Sequence, residues 1–533
     1  MIRFKFLLIF LLMLGFGLVV GLWINPKISF VNDDFEIDSK SIKKLDDYFH
    51  EIAGLNAQKN QLKPLIEKTI SDIFQNLDPH SSYIPDSINQ VFMEEMIGEF
   101  EGIGIRFSIL RDTLTVLQVF ENGPSRQAGL ISGDQIVKIG EIMIDSSFLS
   151  QNDVTKLLKG PAKTKVDVTV FRKHRDNLYD FEIIRDKVDI PSVTSSYVMD
   201  AEIGYIKLEQ FSETTTEEFA KALMELTLQN MNHLIIDLRN NPGGILQQVI
   251  GMSDLLLAPD NPIVIVESNN GEKTTYKARY RKGLYSGSLY VLVDEYSASA
   301  SEILAGAIQD NNRGVIIGNR TYGKGLVQYQ TKIADSDYLR LTTSRFYTPS
   351  GKSIQKPYHQ NLSDEIWQSE LTSLANESQN DSLSQKRKKS SNQNRETSVF
   401  QGGIIPDIDI NTKILEEERA EERLKYFFYN TSLIDSFLLD QIPYNSISTL
   451  ESKALFFSKP LPDEELYFEK FLIFLEGHPY ISQSEVIANK KSTMTAIKSH
   501  IGRLVYGEDI YYRIKNTDDL FINTALEEIA KSK

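Results

Sequence analysis

The sequence predicts a multidomain α/β protein, with a β-rich domain inserted ahead of the main core and helical segments at both ends. In residues 189–412, apolar β-rich runs alternate with segments of helical spacing, a pattern typical of a sheet covered by helices. Residues 98–188 contain short strand-like runs separated by glycine turns, whereas residues 34–97 and 413–533 carry apolar side chains at helical spacing. A chain of 533 residues also exceeds one ordinary hydrophobic core.

The composition excludes several kinds of site. The chain has no cysteine, which rules out disulfides, a thiol nucleophile and zinc–thiolate centres. Its net charge of −15 argues against a nucleic-acid partner. The sequence contains no HExxH motif, no paired metal ligands and no phosphate-binding loop, so we predict neither a metal nor a cofactor.

Residues 1–25 predict a membrane-targeting segment. Arg3 and Lys5 form a short basic flank, and Phe6–Trp23 is apolar and uncharged, about the shortest length that spans a bilayer. Because no good cleavage site follows, we favour an uncleaved anchor and keep a removed signal peptide as the alternative. The basic flank precedes the apolar run, so we expect the rest of the chain in the cell envelope, on the periplasmic side of the membrane.

The helical segment 34–97 contains the string Leu77-Asp78-Pro79-His80-Ser81. His80 could be a triad histidine, or a loop histidine with a structural hydrogen bond. We favour the structural interpretation, because the lysine described below makes a histidine base unnecessary.

The segment 98–188 has the features of a peptide-binding domain. A Gly-x-Gly loop enters a strand near residue 105, and the Gly123–Leu130 and Gly133–Gly140 strings follow. Together they resemble a circularly permuted bacterial PDZ domain. Such a loop can turn successive N–H groups towards a terminal carboxylate while a peptide strand adds to the sheet edge. The predicted tail-binding residues are Gly102, Ile103, Gly104, Ile105, Leu157 and Leu158.

The chemistry is predicted in two places within residues 189–412. The strand-like run Tyr290–Val293 is followed by small residues with three serines and then by a helix that starts near Glu302. A strand–turn–helix of this kind exposes a hydroxyl beside free N–H groups of the helix start. A second strand, Gly314–Gly318, leads into a glycine-flanked lysine, Lys324, so the pattern favours a serine nucleophile with a lysine base.

The strings Ser297–Glu302 and Thr321–Gln328 resemble the C-terminal processing peptidases, also called tail-specific proteases. The resemblance implies a crotonase-like α/β protease core. It also implies that Ser299, 25 positions before Lys324, is the nucleophile, rather than Ser297 or Ser301. In that family Lys324 would be the general base and Gln328 its orienting partner.

An oxyanion hole is expected beside the nucleophile. The strand Leu234–Arg239 ends in Asn240-Asn241-Pro242-Gly243-Gly244, so free amides lie at the end of a parallel strand. We predict that either Gly243 or Gly244 acts together with the N–H of Ala300. Glu302, in the first helical turn, has two interpretations, a favourable charge at the helix start or a hydrogen bond within the site.

The remaining segments carry less chemistry. Residues 361–401 form a polar insertion that we expect to be mobile, between two strings, Tyr347–Gln355 and Gly402–Asp407, that match the end of the family's core. The helical segment 413–533 is expected to serve packing or dimerisation.

The sequence therefore predicts an extracytoplasmic serine endopeptidase that recognises C-terminal tails and hydrolyses amides through an acyl-enzyme. Its expected partners are unfolded or tail-exposed proteins and the membrane; a second copy and an adaptor are further candidates. Two alternatives are a membrane-anchored PDZ scaffold with a dead hydrolase core and a crotonase-type acyl-CoA enzyme. The presence of Ser299 and Lys324 disfavours both, and the PDZ-like insert disfavours the second.

Overall fold

The computed structural model describes residues 62–75, 77–78, 80–110, 113–120, 122–144, 150–200, 202–279, 284–333, 337–357, 402–412, 419–441 and 453–532, with a few residues between 40 and 51. The expected anchor at 1–25 and the polar insertion at 361–401 lie outside this part of the chain. Within it, no helix combines the length and the apolar character that a membrane span requires. The chain divides into two compact units, residues 1–73 and 74–533.

The core of the second unit is a six-stranded sheet in the order β10-β11-β12-β15-β16-β19. Its strands β11, β12, β15, β16 and β19 run parallel, and β10 is antiparallel to β11. The strand bounds are β10 Val193–Asp200, β11 Ile203–Leu208, β12 His233–Asp237, β15 Ser288–Val293, β16 Val315–Gly318 and β19 Ile408–Asp409. Parallel strands bring their carboxyl ends to one edge, where the loops after β12 and β15 become neighbours.

Three helices cover one face of this sheet. They are α5 Thr215–Leu228, α6 Leu246–Leu256 and α7 Ala300–Asp310. Nine consecutive residues of α7, from Ala300 to Ile308, are buried, so this helix is packed on all sides. Its fixed position fixes the turn that precedes it.

A second sheet carries the segment with Lys324 and Gln328. The strands β1 Ser82–Pro85, β13 Pro262–Ser268, β14 Lys273–Lys277 and β18 Asp337–Tyr347 follow the order β1-β18-β13-β14, and β17 Leu326–Lys332 pairs with β18. In the β1–β18 pair, Ser82 lies opposite Arg340. The N-terminal segment is thus built into the sheet that supports the lysine.

The PDZ-like segment has a sheet in the order β3-β4-β5-β7-β8, with β6 on β5. Its elements are β2 Glu99–Gly102, β3 Ile105–Leu110, β4 Thr113–Val119, α3 Pro124–Ala128, β5 Gln135–Ile139, β6 Ile142–Met143, α4 Gln151–Leu158, β7 Lys165–Arg172, β8 Asn177–Ile184 and β9 Asp186–Asp189. A two-stranded β2–β9 ladder closes it, and helix α2, Asp86–Ile97, leads into it. Strand β3 is the edge strand of the sheet order and is therefore open to an added peptide strand.

The C-terminal part is helical. Its helices are α8 Arg419–Asn430, α9 Leu433–Gln441, α10 Lys453–Ser458, α11 Glu464–Phe474, α12 Gln483–Ala488, α13 Lys490–Tyr506, α14 Glu508–Lys515 and α15 Leu520–Ser532; near the other end of the chain, α1 is Leu62–Gln75. Arg239, which pairs with Asp237 of β12, also forms a buried ion pair with Asp519, and this second pair ties the C-terminal helices to the core sheet. The predicted fold class, an α/β core with a PDZ insert and helical ends, is confirmed.

Candidate active site

The loops after β12 and β15 hold each other at the carboxyl edge of the sheet. The Ala298 N–H donates to the Asn241 carbonyl at 3.0 Å, and the Ser301 hydroxyl donates to the same oxygen at 3.0 Å. On the other side, the Ser297 hydroxyl donates to the Leu238 carbonyl at 2.9 Å. Ser297 and Ser301 are both fully buried, so these two serines brace the turn and Ser299 lies between them.

Ser299 occupies the turn in an unusual backbone conformation. Its φ of 53° and ψ of −111° place a residue with a side chain in the left-handed half of backbone space, which costs of order 1–3 kcal/mol. Strain of this kind is found where a nucleophile must project from a strand-to-helix turn. Ser299 is only partly buried, unlike its two fully buried serine neighbours, so it is the one of the three serines that solvent reaches.

Glu302 connects this turn to the lysine loop. Its carboxylate is fully buried and accepts hydrogen bonds from the Ser299 N–H at 2.8 Å and from the Lys324 N–H at 2.9 Å. The Gly323 N–H and the Thr321 hydroxyl donate to its other oxygen at 2.7 and 2.6 Å. Glu302 therefore has both of the roles considered for it, because it lies in the first turn of α7 and also bonds within the site. Burial raises the pKa of Glu302, whereas these hydrogen bonds act to lower it.

The Lys324 side chain is held by Gln328. The Lys324 Nζ donates to Gln328 Oε1 at 2.9 Å, and Gln328 Nε2 donates to the His80 carbonyl at 2.5 Å. The amide of Gln328 is thus oriented from behind, so that its oxygen faces the amine. The residue predicted to be a structural loop histidine supplies this contact through its backbone.

The surroundings of Lys324 favour a neutral amine. Burial lowers the pKa of Lys324, and the nearby Arg340 guanidinium lowers it further, against the carboxylates of Glu302 and Asp78. Arg340 is fixed by a stacking contact 3.7 Å from the Phe92 ring centroid and by a hydrogen bond of 3.0 Å to Gln330. A lysine that loses its proton in this way can accept one from a hydroxyl.

The two candidate oxyanion glycines lie in different hydrogen-bonding environments. The Gly243 N–H donates to Asn241 Oδ1 at 2.9 Å, whereas no acceptor for the Gly244 or Ala300 N–H is found in the described part of the chain. Gly243 also has a φ of +99°, and a Cβ on it would come within 2.7 Å of the Ser299 Cβ and 2.8 Å of the Ala300 nitrogen. The geometry therefore favours Gly244 with Ala300 as donors, and Gly243 as the close-packed neighbour of the turn.

Asn241 is a further residue of this site that the sequence did not predict. Its Nδ2 donates to the Leu208 carbonyl at 3.0 Å, its Oδ1 accepts from Gly243, and its carbonyl accepts from the nucleophile turn. Along the chain, Asn241 lies between strand β12 and the glycines Gly243 and Gly244. Its position in the Asn-Asn-Pro-Gly-Gly string is the sequence feature that could have indicated it.

A cavity of about 310 Å³ lies between β3 and α4 of the PDZ-like domain. Of the predicted tail-binding residues, it is lined by Ile103, Gly104, Ile105 and Leu158, with Phe100, Phe107 and Phe120 as further apolar walls. Gly102 and Leu157 do not line it. Gly102 ends β2, where it pairs with Asp186, and Leu157 packs beside the domain's own core.

Helix α2 also lines this cavity, although the sequence did not suggest it. Val91, Glu94 and Glu95 come from this helix, and Glu94 forms an ion pair with Lys159 at the end of α4. Burial raises the pKa of Glu95, against the charge of Lys159. The cavity thus combines apolar walls with charged groups of both signs at its mouth.

Comparisons with known proteins give matches for two parts of the chain. Residues 202–361 match peptidase family S41, and residues 102–183 match the PDZ domain. The carboxy-terminal-processing protease of Bartonella bacilliformis is 32% identical over 320 residues, which cover 59% of this chain and 73% of that protein. The carboxy-terminal processing protease CtpA of Bacillus subtilis is also 32% identical over 320 residues, covering 60% of this chain and 67% of the relative.

Among solved structures, a photosystem II D1 C-terminal processing protease is 26% identical to this chain. The match covers 60% of this chain and 91% of that one, with a TM-score of 0.34.

Proposed function

Because this chain belongs to peptidase family S41, the carboxy-terminal processing proteases, we propose that it cleaves peptide bonds through a Ser299–Lys324 dyad, on substrates recognised by their C-terminal tails. One observation supports the dyad most strongly: a single buried carboxylate, Glu302, accepts the N–H groups of both residues. Two segments distant in sequence are thereby held together at the end of the sheet.

In the proposed reaction, neutral Lys324 takes the proton of the Ser299 hydroxyl as the Oγ attacks the scissile carbonyl carbon. The carbonyl oxygen becomes negative and accepts hydrogen bonds from the Gly244 and Ala300 N–H groups. The carbon–nitrogen bond then breaks, and the Lys324 ammonium gives its proton to the leaving amine. A water molecule then gives a proton to Lys324 as its oxygen adds to the acyl carbon; the bond from that carbon to Ser299 Oγ breaks, the acid leaves, and Lys324 returns the proton to the serine.

The PDZ domain supports peptide binding, and we infer that its groove receives the end of the substrate chain. An added strand would pair with the edge strand β3, as peptides do in other edge-strand complexes. The terminal carboxylate would meet the N–H groups of the loop around Gly104, whose φ of +76° turns the backbone sharply. The phenylalanine and isoleucine walls suit an apolar terminal side chain.

We further propose that the enzyme acts outside the cytoplasm, held by the apolar segment Phe6–Trp23. The support is the sequence alone, in which the basic flank precedes the apolar run. A protease at this position would meet unfolded or tail-exposed envelope proteins. Fusing a reporter that is active only outside the cytoplasm to the chain end tests the location; an inactive reporter would contradict it.

The activity is tested with the full chain in detergent and a set of peptides that share one cleavable body but differ in their last three residues. We expect turnover that depends on the tail, with apolar ends preferred. Ser299→Ala and Lys324→Ala should each abolish turnover while the thermal unfolding midpoint stays unchanged. Lys324→Arg should be equally inactive, because a guanidinium remains protonated.

Lys332→Arg serves as a matched control, since Lys332 is exposed at the end of the strand that follows Lys324. It should retain full activity. Turnover by the folded Ser299→Ala or Lys324→Arg protein would reject the dyad, whereas equal rates on all tails would reject tail recognition only.

A further inference from the structure

Of the string Leu77-Asp78-Pro79-His80-Ser81, the site described above uses only the His80 carbonyl, yet Asp78 and Ser81 contact strand β18. Asp78 is 8% exposed and accepts hydrogen bonds from the His80 N–H at 2.8 Å, the Ser81 N–H at 2.8 Å and the Ser81 hydroxyl at 2.6 Å. One carboxylate with three local donors fixes the shape of this turn. The turn would otherwise be free to take other conformations.

The same carboxylate anchors the turn to strand β18. The Thr342 hydroxyl donates to Asp78 Oδ1 at 3.1 Å, and the Thr342 N–H donates to the Ser81 hydroxyl at 3.1 Å. Thr342 lies directly opposite Gln328 in the β17–β18 pair, next to a register shift between Val327 and Gln328. The turn is therefore attached beside the residue that holds the lysine.

We propose that Asp78 is a positioning residue for the reaction, because it shapes the turn whose His80 carbonyl holds Gln328 against Lys324. The contacts run in one line: Asp78 fixes His80, the His80 carbonyl accepts Gln328 Nε2 at 2.5 Å, and Gln328 Oε1 accepts the Lys324 amine at 2.9 Å. An amide can present its oxygen or its nitrogen to an amine. The His80 carbonyl accepts only from the nitrogen, so it selects the orientation that Lys324 needs.

Asp78 also acts on Lys324 through its charge. Burial alone would raise the pKa of Asp78, but its hydrogen bonds bring that pKa below the usual value, so the group is ionised at neutral pH. Its negative charge in turn raises the pKa of Lys324, which partly offsets burial and Arg340. Loss of this charge should therefore shift the titration of the lysine to lower pH, an effect that a merely structural turn would not produce.

This inference rests on the proposed Ser299–Lys324 mechanism and is tested by a double-mutant cycle on the full-length protein. The variants are Asp78→Asn, Gln328→Ala and their combination, with kcat measured at saturating peptide. We expect each single variant to lower kcat at least tenfold. The combination should be no more than about twofold slower than the slower single variant, because the positioning effect of Asp78 on kcat acts through Gln328, whereas its charge acts on the pKa of Lys324. The acidic limb of the kcat/KM profile of Asp78→Asn should move to lower pH.

Asp435→Asn is the matched control, since Asp435 is similarly buried at 6% exposed but bonds His500 in the C-terminal helices. In a double variant, the factors by which Asp435→Asn and Gln328→Ala each lower kcat should multiply. If Asp78→Asn does not fold, Thr342→Val removes one donor to Asp78 at nearly constant volume and enters the same cycle. The inference would be overturned if the Asp78 or Thr342 variant and Gln328→Ala lowered kcat by factors that multiply in the double variant. It would also be overturned if the Asp78 or Thr342 variant alone left kcat unchanged.

The two proposals fail in different ways. Activity in Ser299→Ala or Lys324→Ala would reject the dyad itself. The dyad would stand if Ser299→Ala and Lys324→Ala are inactive. If, in addition, the factors by which Asp78→Asn and Gln328→Ala lower kcat multiply in the double variant, only the role of Asp78 would be rejected.

Discussion

The backbone N–H groups of Ser299 and Lys324 donate to the same oxygen, Glu302 Oε2, at 2.8 and 2.9 Å. The two residues lie in different loops, one before α7 and one after β16, and their nitrogens are no more than about 6 Å apart through this oxygen. Since Glu302 is itself fixed in a fully buried helix, the distance between the loops is set by packing.

This relationship predicts a large effect of Glu302→Gln. A glutamine has one acceptor oxygen and an NH₂ group, so at least one of the backbone donors would face another donor. Each buried unsatisfied group costs about 1–3 kcal/mol. We expect kcat to fall by about a hundredfold with little change in KM, because a small displacement of positioned groups is costly to the reaction.

Peptide turnover and thermal unfolding of Glu302→Gln should be compared with those of Glu295→Gln, an exposed glutamate that precedes the turn. The control should keep its kcat. A Glu302→Gln protein with kcat within twofold of the parent would show that the shared oxygen does not position the two loops.

Arg340 gives a prediction about pH. Its positive charge lowers the pKa of Lys324, after burial, so Arg340→Gln should let the ammonium persist to higher pH. The base must be neutral to act, and kcat/KM rises as the lysine loses its proton. The acidic limb of the profile should therefore move to higher pH, with the rate restored at alkaline pH.

The control for this shift is Arg345→Gln, which removes an exposed arginine of the same strand. Its pH profile should match that of the parent. A limb that stays in place in Arg340→Gln, or moves to lower pH, would mean that Arg340 does not act on the lysine.

Gly243 should tolerate no side chain. A Cβ there would come within 2.7 Å of the Ala298 carbonyl oxygen and 2.7 Å of the Ser299 Cβ, and backbone at φ +99° disfavours any L-residue. Gly243→Ala should therefore displace the nucleophile turn and lower kcat by about a hundredfold. Gly271→Ala has a similar φ of +80° but open space around it, so its activity should be normal. Equal activity of the two variants would show that the turn yields to the added methyl.

The sequence could predict those features of the site that depend on residues close together along the chain. Ser299 and Lys324 each belong to a local strand–loop pattern that is visible without a structure, and so does the glycine pair after β12. The preference for Gly244 over Gly243 as an oxyanion donor rests on the Asn241 side chain, whose Oδ1 already accepts the Gly243 N–H. The local sequence pattern does not show which backbone N–H group already donates a hydrogen bond.

The long-range supports could not be predicted. Asp78 and Thr342 are 264 positions apart, and their contact depends on β1 pairing with β18. Likewise, the helical spacing of 34–97 did not single out the segment of helix α2, nor did it indicate that Glu94 would reach the cavity of the PDZ domain. Such contacts arise from how the domains pack, which amphipathic periodicity does not encode.

His80 should be dispensable as a side chain. It contacts Gln328 through its backbone carbonyl, which every residue has, and burial together with the charge of Lys324 lowers the pKa of its imidazole. We expect His80→Ala to keep kcat within about threefold of the parent over pH 6–9, since the carbonyl remains. A loss of about a hundredfold, or an activity limb that disappears near the pKa of histidine, would instead make the imidazole part of the chemistry.

The contacts of helix α2 lead us to predict that tail binding and catalysis are coupled. Glu94 and Glu95 on this helix line the cavity of the PDZ domain, whereas Asn89 bonds Gln330 and Phe92 stacks on Arg340, whose charge acts on Lys324. A rigid helix that contacts both places can transmit a shift from one to the other. A non-cleavable tail peptide added separately should therefore raise kcat on a substrate that has no tail.

The coupling is tested with Asn89→Ala, which removes the contact to β17 and leaves the cavity walls intact. We expect at least a threefold smaller activation by the tail peptide, with its Kd changed less than twofold, because binding and transmission use opposite sides of the helix. Gln90→Ala removes an exposed side chain that bonds Glu94 on the same helix; it leaves the Asn89–Gln330 contact in place and should activate like the parent. Full activation of Asn89→Ala, or no activation of the parent by tail peptide, would show that α2 holds the cavity and the lysine without linking them.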